Sequence, residues 1–164
     1  MMHGRNVRTW HRFARSERGV STLEFAFIAP FMFILIFASF ELALDMIADA
    51  TVQVAAEVAS RSAMVMGAPP AGVTPAQAVT AKVHQVLDMW APLGGTVNVQ
   101  LTAYSALNEL GGANGVAGVG AGGNIVTYNV SLTMPAFTGV PGWVNAGAPF
   151  VFTFSRNFVV QNEQ

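Results

Sequence analysis

Few side chains in this sequence are able to bind a metal or perform acid–base chemistry. The chain has no cysteine, so thiolate chemistry, disulfides and cysteine metal sites are excluded. His84 and Asp88 are spaced for one helix face, but two ligands without a third make a poor metal site, and a solvated face is the better interpretation. Glu41, Asp45 and Asp49 recur every four residues. We interpret them as an acidic stripe at the exit from a membrane, in preference to a cation site.

Three glycines match the G-x-G-x-x-G spacing of dinucleotide-binding loops: Gly118, Gly120 and Gly123. That motif requires a strand before it and a helix after it, because the helix N-terminus binds the pyrophosphate. Here a strand-like segment follows, so a flexible loop is the better interpretation. The sequence also lacks the G-x-S-x-G, H-E-x-x-H and P-loop patterns. We therefore expect no enzyme activity, no cofactor and no small-molecule substrate.

The most informative spacing lies in residues 18–30, RGVSTLEFAFIAP. Gly19 has no side chain, so extended backbone around it can approach a protease closely. Glu24 stands near the edge of an apolar run, where a carboxylate is costly unless it is paired or close to water. Cleavage after Gly19 would create a cationic α-amino group on Val20 as its partner, whereas snorkelling of Glu24 to the membrane surface is the alternative. Pro30 should weaken or bend the helix further on.

A basic segment, a glycine, four residues and then Glu-Phe before an apolar helix resembles the N-terminus of type IV prepilins. This resemblance implies that a membrane aspartic peptidase cuts between Gly19 and Val20. It also implies that Glu24, followed by Phe25, docks against a neighbouring subunit and pairs with that subunit's N-terminal amine. Pilins commonly carry a proline such as Pro30.

A finer similarity is to TadE-like proteins of the tight-adherence (Tad, or Flp) pilus system. It rests on Gly19, on the stretch Glu24-Phe25-Ala26 with Pro30 after it, and on the ending at residues 159–163. The resemblance implies a non-enzymatic minor pseudopilin required for assembly of Tad/Flp pili and for adherence. Its partners would be the membrane, a prepilin peptidase, other Tad pseudopilins and pilus platform proteins. The absence of cysteine departs from members that carry disulfides, and TadF-like and TadG-like roles stay open.

Two alternatives remain at this point. A minor pseudopilin of a type II secretion or type IV pilus machine would share the glycine-to-glutamate spacing. A signal-anchored periplasmic binding protein would use the weak signal-peptidase-like site at Ala48-x-Ala50. That site lies well past the apolar run, and cleavage there would break a good helix.

The apolar run that must position Gly19 and Glu24 extends from Phe25 to Phe40. It contains six phenylalanines and no charged residue. An apolar stretch without a polar face is typical of a membrane span, and Leu23 with the leucines after Glu41 brings it near the required length of about 20 residues.

Charge is distributed unevenly about this run. The whole chain of 164 residues is 52% hydrophobic and only 10% charged, yet residues 1–19 hold five of its eight basic residues. Because arginines next to a span stay in the cytoplasm, we expect a single pass through a bacterial inner membrane with the C-terminal domain in the periplasm. A basic tail directly before an apolar run favours this topology over nucleic-acid binding.

Beyond the run, the sequence predicts an α+β architecture of pilin type. Alanine-rich residues 45–66 should continue the first helix, and Gly67 with the following prolines should end it. A second helix should begin at Thr74-Pro75 and reach Pro92. Alternating segments predict a small antiparallel sheet of about three strands: Thr96 to Tyr104, Asn124 to Met134 and Phe150 to Val160.

The chain is therefore divided into four parts. These are a basic cytoplasmic leader (1–19), a transmembrane helix (20–44), its periplasmic continuation (45–66) and a periplasmic α+β domain (67–164). Two Gly-rich connections, 110–123 and 137–149, are predicted as loops. Arg156 falls on the apolar face of the last strand, where a bulge or the strand end would explain it.

The arginine asymmetry predicts that the C-terminus is exported. A reporter that is active only outside the cytoplasm, fused after Gln164, should therefore be active. The same fusion to a cytoplasm-specific reporter should be silent, and activity there would refute the topology.

Overall fold

The computed structural model describes residues 17–65, 71–144 and 146–161. Its longest element is helix α1 (Glu17–Val65), which joins the apolar run and its predicted continuation in one helix of 49 residues. At 1.5 Å per residue it is about 70 Å long. The predicted stop at Gly67 and most of the basic leader lie outside the described residues.

The side chains in the first half of α1 are exposed or partly exposed on all faces of the helix, as expected of a helix that lipid surrounds. None of the described side chains between Ser21 and Phe40 is buried, although this segment holds six of the twelve phenylalanines. Among the described helices, α1 is the one long and apolar enough to cross a membrane. Twenty residues of helix span about 30 Å, which equals the hydrocarbon thickness of a bilayer. Pro30 lies inside this segment without interrupting the helix.

The second half of α1 packs against the domain along a stripe of small side chains. Its fully buried members recur every three or four residues: Ala48, Val52, Ala55 and Ala59. Short side chains allow the α1 backbone to lie close to the elements beneath it. Away from this stripe, several apolar side chains stay exposed: Ile47, Val54, Val58 and Met64.

Helix α2 (Pro75–Leu87) begins as the sequence predicted, at the N-cap Thr74. The Thr74 hydroxyl accepts a hydrogen bond from Gln77 N, and the Gln77 side chain accepts one from Thr74 N, which is a capping box. The α-helix stops earlier than predicted. Its continuation to Pro92 is a 3₁₀ segment, Asp88–Leu93, which carries the buried Trp90.

Four antiparallel strands form one sheet in the order β2-β1-β3-β4. They are β1 (Thr96–Tyr104), β2 (Val116–Ala117), β3 (Ile125–Pro135) and β4 (Val151–Gln161). The predicted α+β class is confirmed, and the three predicted strands are found within one residue of their expected starts. The fourth strand, β2, lies in a Gly-rich connection that was predicted as a loop. Two residues are too few to show an alternating pattern, and their pairing with Thr102 and Ala103 is what defines the strand.

One face of this sheet builds the core. Alternate residues of the central strand β3 are buried there: Val126, Tyr128, Val130, Leu132 and Met134. Helix α1 crosses β4 and β3, while α2 packs on α1 and reaches β1. The Tyr128 ring stacks on Phe158 with centroids 4.9 Å apart, and burial raises the pKa of its hydroxyl. The second Gly-rich connection also contains a short helix, α3 (Val140–Val144).

Candidate functional site

The residues predicted to direct cleavage lie at the start of α1. Gly19 and Val20 are within its first turn, so their backbone is helical. Val20 and Glu24 are four residues apart, which places them on the same helix face one turn from each other. Glu24 and Phe25 are both exposed. The structure therefore presents this predicted docking pair on the surface of the apolar half.

A second polar site, at the end of the apolar run, was not foreseen as such. Glu41 is only 4% exposed. Its two carboxylate oxygens accept hydrogen bonds from the backbone N–H groups of Phe137 and Thr138, at 2.9 and 2.6 Å. Hydrogen bonds to a carboxylate are about twice as strong as neutral ones, so this contact fixes the 137–138 backbone to the helix.

The acidic stripe of Glu41, Asp45 and Asp49 at a membrane exit stays a prediction, and the structure adds that Glu41 is buried by the domain. One turn further, Oδ1 of Asp45 is buried and has no hydrogen-bond partner among the described residues. Asp49, a turn beyond that, is bound by Arg156 from β4 at 2.8 Å. Glu41 and Asp49 therefore attach α1 to the domain.

The pairing of Asp49 also explains Arg156. The β3–β4 ladder runs through Val130 and Arg156 in unbroken register, so neither a bulge nor the strand end is involved. Arg156 stays on the apolar face because its guanidinium reaches Asp49 on α1. Both side chains are partly exposed, and solvent screening limits such a pair to about 0–1 kcal/mol. In the sequence, the signal for a carboxylate partner was the single cationic residue, Arg156, on an otherwise apolar strand face.

On the C-terminal side of Asp49, α1 and β4 border an open groove of about 440 Å³. The polar residues that line it are Gln53, Glu57, Ser60 and Arg61 on α1, with Arg156 and Asn157 on β4. On the α1 side of the groove, Gln53 donates a hydrogen bond to Glu57. Within the described residues no group of three or more His, Cys, Asp or Glu side chains is placed to hold a metal ion.

The remaining sequence candidates form local contacts. His84 Nδ1 and Asp88 Oδ1 lie 2.8 Å apart on the exposed face of α2, so they bind each other. Gly118, Gly120 and Gly123 all have positive φ angles and lead into β3. No helix follows them, as a dinucleotide-binding loop would require.

These observations define a class of protein: an α+β domain carried on the second half of one long helix, whose first half is suited to a membrane. The family model described as TadE-like protein matches residues 19–61. The match begins at Gly19 and ends within the helix stripe that carries the domain, so it confirms the TadE-like resemblance over α1. It indicates a membrane-anchored protein associated with a Tad pilus system. No curated protein and no solved structure matches this chain.

The Glu41 contact predicts a specific loss in the Glu41→Ala variant. Without the carboxylate, the N–H groups of Phe137 and Thr138 have no acceptor, and an unsatisfied buried donor costs about 1–3 kcal/mol. We expect faster hydrogen exchange at these two amides by NMR in detergent, and a lower free energy of unfolding. The matched control is Glu57→Ala, which removes an exposed carboxylate from the same helix. Equal exchange in the two variants would show that Glu41 does not hold this backbone.

Proposed function

We propose that this chain is a non-enzymatic, TadE-like minor pseudopilin that is required for assembly of Tad/Flp-type pili and for adherence. A prepilin peptidase cleaves it between Gly19 and Val20. The mature chain stays in the bacterial inner membrane or enters the pilus, with its N-terminus on the cytoplasmic side and residues 67–164 in the periplasm. Its partners are the peptidase, other Tad pseudopilins and pilus platform proteins.

The observation that carries the proposal is the division of α1 into two halves. The family match supports it, because the matched segment includes Gly19, Glu24 and the residues that join the helix to the domain. None of the described side chains from Ser21 to Phe40 is buried, as expected of a segment that meets lipid or other subunits. The domain half provides a rigid connection between that segment and the sheet.

Cleavage requires the first turn of α1 to open, since its backbone is helical at the proposed scissile bond. Gly19 makes this opening easier, because glycine in a helix is less stable than alanine by about 0.5–1 kcal/mol. A bulky side chain at this position would both favour the helix and block close approach of the peptidase.

Docking is assigned to Glu24 and Phe25. A carboxylate near the edge of the hydrocarbon region is costly unless a cation or water accompanies it. The new amine of Val20 on a neighbouring subunit supplies that cation after cleavage. Phe25, 65% exposed, provides an apolar contact beside the charge.

Two variants in the native host separate processing from docking. Gly19→Phe should block cleavage, so that intact-mass measurement finds the Arg-rich leader still attached. Glu24→Gln should be cleaved and inserted normally, with Val20 at its N-terminus, yet surface pili should be lost because the neutral amide cannot pair with the amine. Mass spectrometry and a count of pili by electron microscopy read both effects.

The matched control is Glu57→Gln, the same chemical change on an exposed site of the same helix, which should leave pili unchanged. Normal piliation with Glu24→Gln would remove Glu24 from the mechanism. A wild-type chain that keeps its leader, or that begins beyond Ala50, would overturn the prepilin assignment.

A further inference from the structure

The connection between β3 and β4 forms a closed loop at one end of the sheet. We call residues 136–144 and 146–150 the Trp143 loop. Its base is closed by a hydrogen bond from Ala136 N to Phe150 O, and within it Trp143 N donates to Gly139 O. The short helix α3 therefore lies at the far side of a loop whose two ends are held together.

The position of this loop relative to α1 is fixed at two points. Glu41 accepts hydrogen bonds from the backbone of Phe137 and Thr138. The Phe137 ring also packs against Trp90, a buried core residue, with ring centroids 6.2 Å apart. The loop is thus held between the end of the apolar run and the domain core.

Attachment at Glu41 determines where the loop stands with respect to a bilayer. The segment from Ser21 to Phe40 fills about 30 Å of hydrocarbon, so Glu41 falls where the headgroup layer begins. The strand register places the β3–β4 turn at this end of the sheet, whereas β2 pairs with β1 at the opposite end.

The composition of the loop fits the headgroup layer. Trp143 is 72% exposed, and Leu42 on α1 is also exposed beside the Glu41 attachment. No Asp, Glu, Lys, Arg or His occurs between Glu109 and Arg156, so nothing charged opposes contact with lipid. Tryptophan favours the membrane–water boundary because its ring is apolar and its N–H can still bond to water or headgroups.

We propose that the Trp143 loop is a second membrane contact of this protein, with Trp143 inserted among the lipid headgroups and upper acyl chains. The partner is a lipid surface. The span by itself leaves the domain free to tilt about the membrane exit, and this second contact restrains it. The inference rests on the membrane-spanning part of the proposed function and does not require cleavage or pilus assembly.

The alternative occupant is another protein, but the geometry favours lipid. The loop is fastened next to the segment that lipid surrounds, so an exposed Trp there meets headgroups before any partner binds. If the Trp143 indole stayed in water, this placement would bring no gain in free energy. Burial of its apolar area in lipid is favourable by about 25 cal/mol per Å².

Fluorescence quenching tests the contact in the full chain, reconstituted in phosphatidylethanolamine–phosphatidylglycerol vesicles. The chain has three tryptophans. Trp10→Phe leaves Trp90 and Trp143, and the further change Trp143→Phe leaves Trp90 alone. The difference between these two proteins is the emission of Trp143, and the core Trp90 is never altered.

We expect lipids brominated near the headgroup end of the acyl chain to reduce the Trp143 emission strongly, and lipids brominated near the chain end to reduce it less. Aqueous iodide should have little effect. A matched control is Val116→Trp in the protein that retains Trp90 alone. Val116 is exposed at the opposite end of the sheet, so iodide should quench this Trp and brominated lipid should not.

A second control, Phe33→Trp, tests the span separately and should be quenched most by deep bromine atoms. If Phe33→Trp is quenched but Trp143 responds only to iodide, the loop contact is wrong and the span stands. Protection of Trp143 from both quenchers would mean a protein contact and also overturn the inference. Absence of quenching at Phe33→Trp would overturn the span together with the loop contact.

Discussion

The carboxylate of Glu41 lies at the boundary between two parts of α1 that have different surroundings. On its N-terminal side the helix is apolar all round, and on its C-terminal side it buries a narrow stripe against the domain. A charged side chain is costly in hydrocarbon, so in the proposed topology the bilayer ends at or before this residue. Because Glu41 also binds the backbone of Phe137 and Thr138, the depth of the helix and the position of the sheet are set together.

The rest of the architecture follows from a rigid helix in that position. Small residues such as Ala48 and Ala55 let α1 lie close to the sheet, while the Asp49–Arg156 pair adds a polar contact further along. The domain is therefore held along several turns of the helix and not by a flexible linker. In the proposed pseudopilin, a force or displacement applied to the apolar half would be transmitted to the domain, because the two are not joined by a flexible linker.

Sequence patterns were sufficient for the long helices and the three long strands, because each depends on local periodicity. The helix from Thr74, the alternating strands and the apolar run could all be predicted in this way. Pairings across the chain could not. Glu41 meets residues 96 and 97 positions away, and Asp49 meets one 107 positions away, and no local pattern encodes such distances. Strand β2 was missed for a related reason, since its two residues become a strand only through their neighbours in β1.

The residues of the candidate site differ in the same way, since some could be predicted from local spacing and others could not. Gly19, Glu24 and Pro30 were proposed from spacing, because a linear motif that another protein recognises would have to be encoded locally. Glu24 and Phe25 have exposed side chains, which agrees with roles that involve other chains. The contact made by Glu41, in contrast, depends on the folded domain, and sequence alone placed this residue in an acidic stripe at a membrane exit without indicating the backbone that it binds.

Cysteine accessibility tests the central claim, that lipid surrounds α1 up to Glu41 and the domain begins there. The chain has no cysteine, so single substitutions can be labelled without a background. Four exposed α1 positions serve in vesicles that contain only this protein and are permeable to a polar maleimide: Phe33, Phe37, Met46 and Val54. The account predicts that cysteines at 46 and 54 react at once, and that those at 33 and 37 react only after the lipid is dissolved. Rapid labelling at 33, or protection that extends through 54, would contradict it.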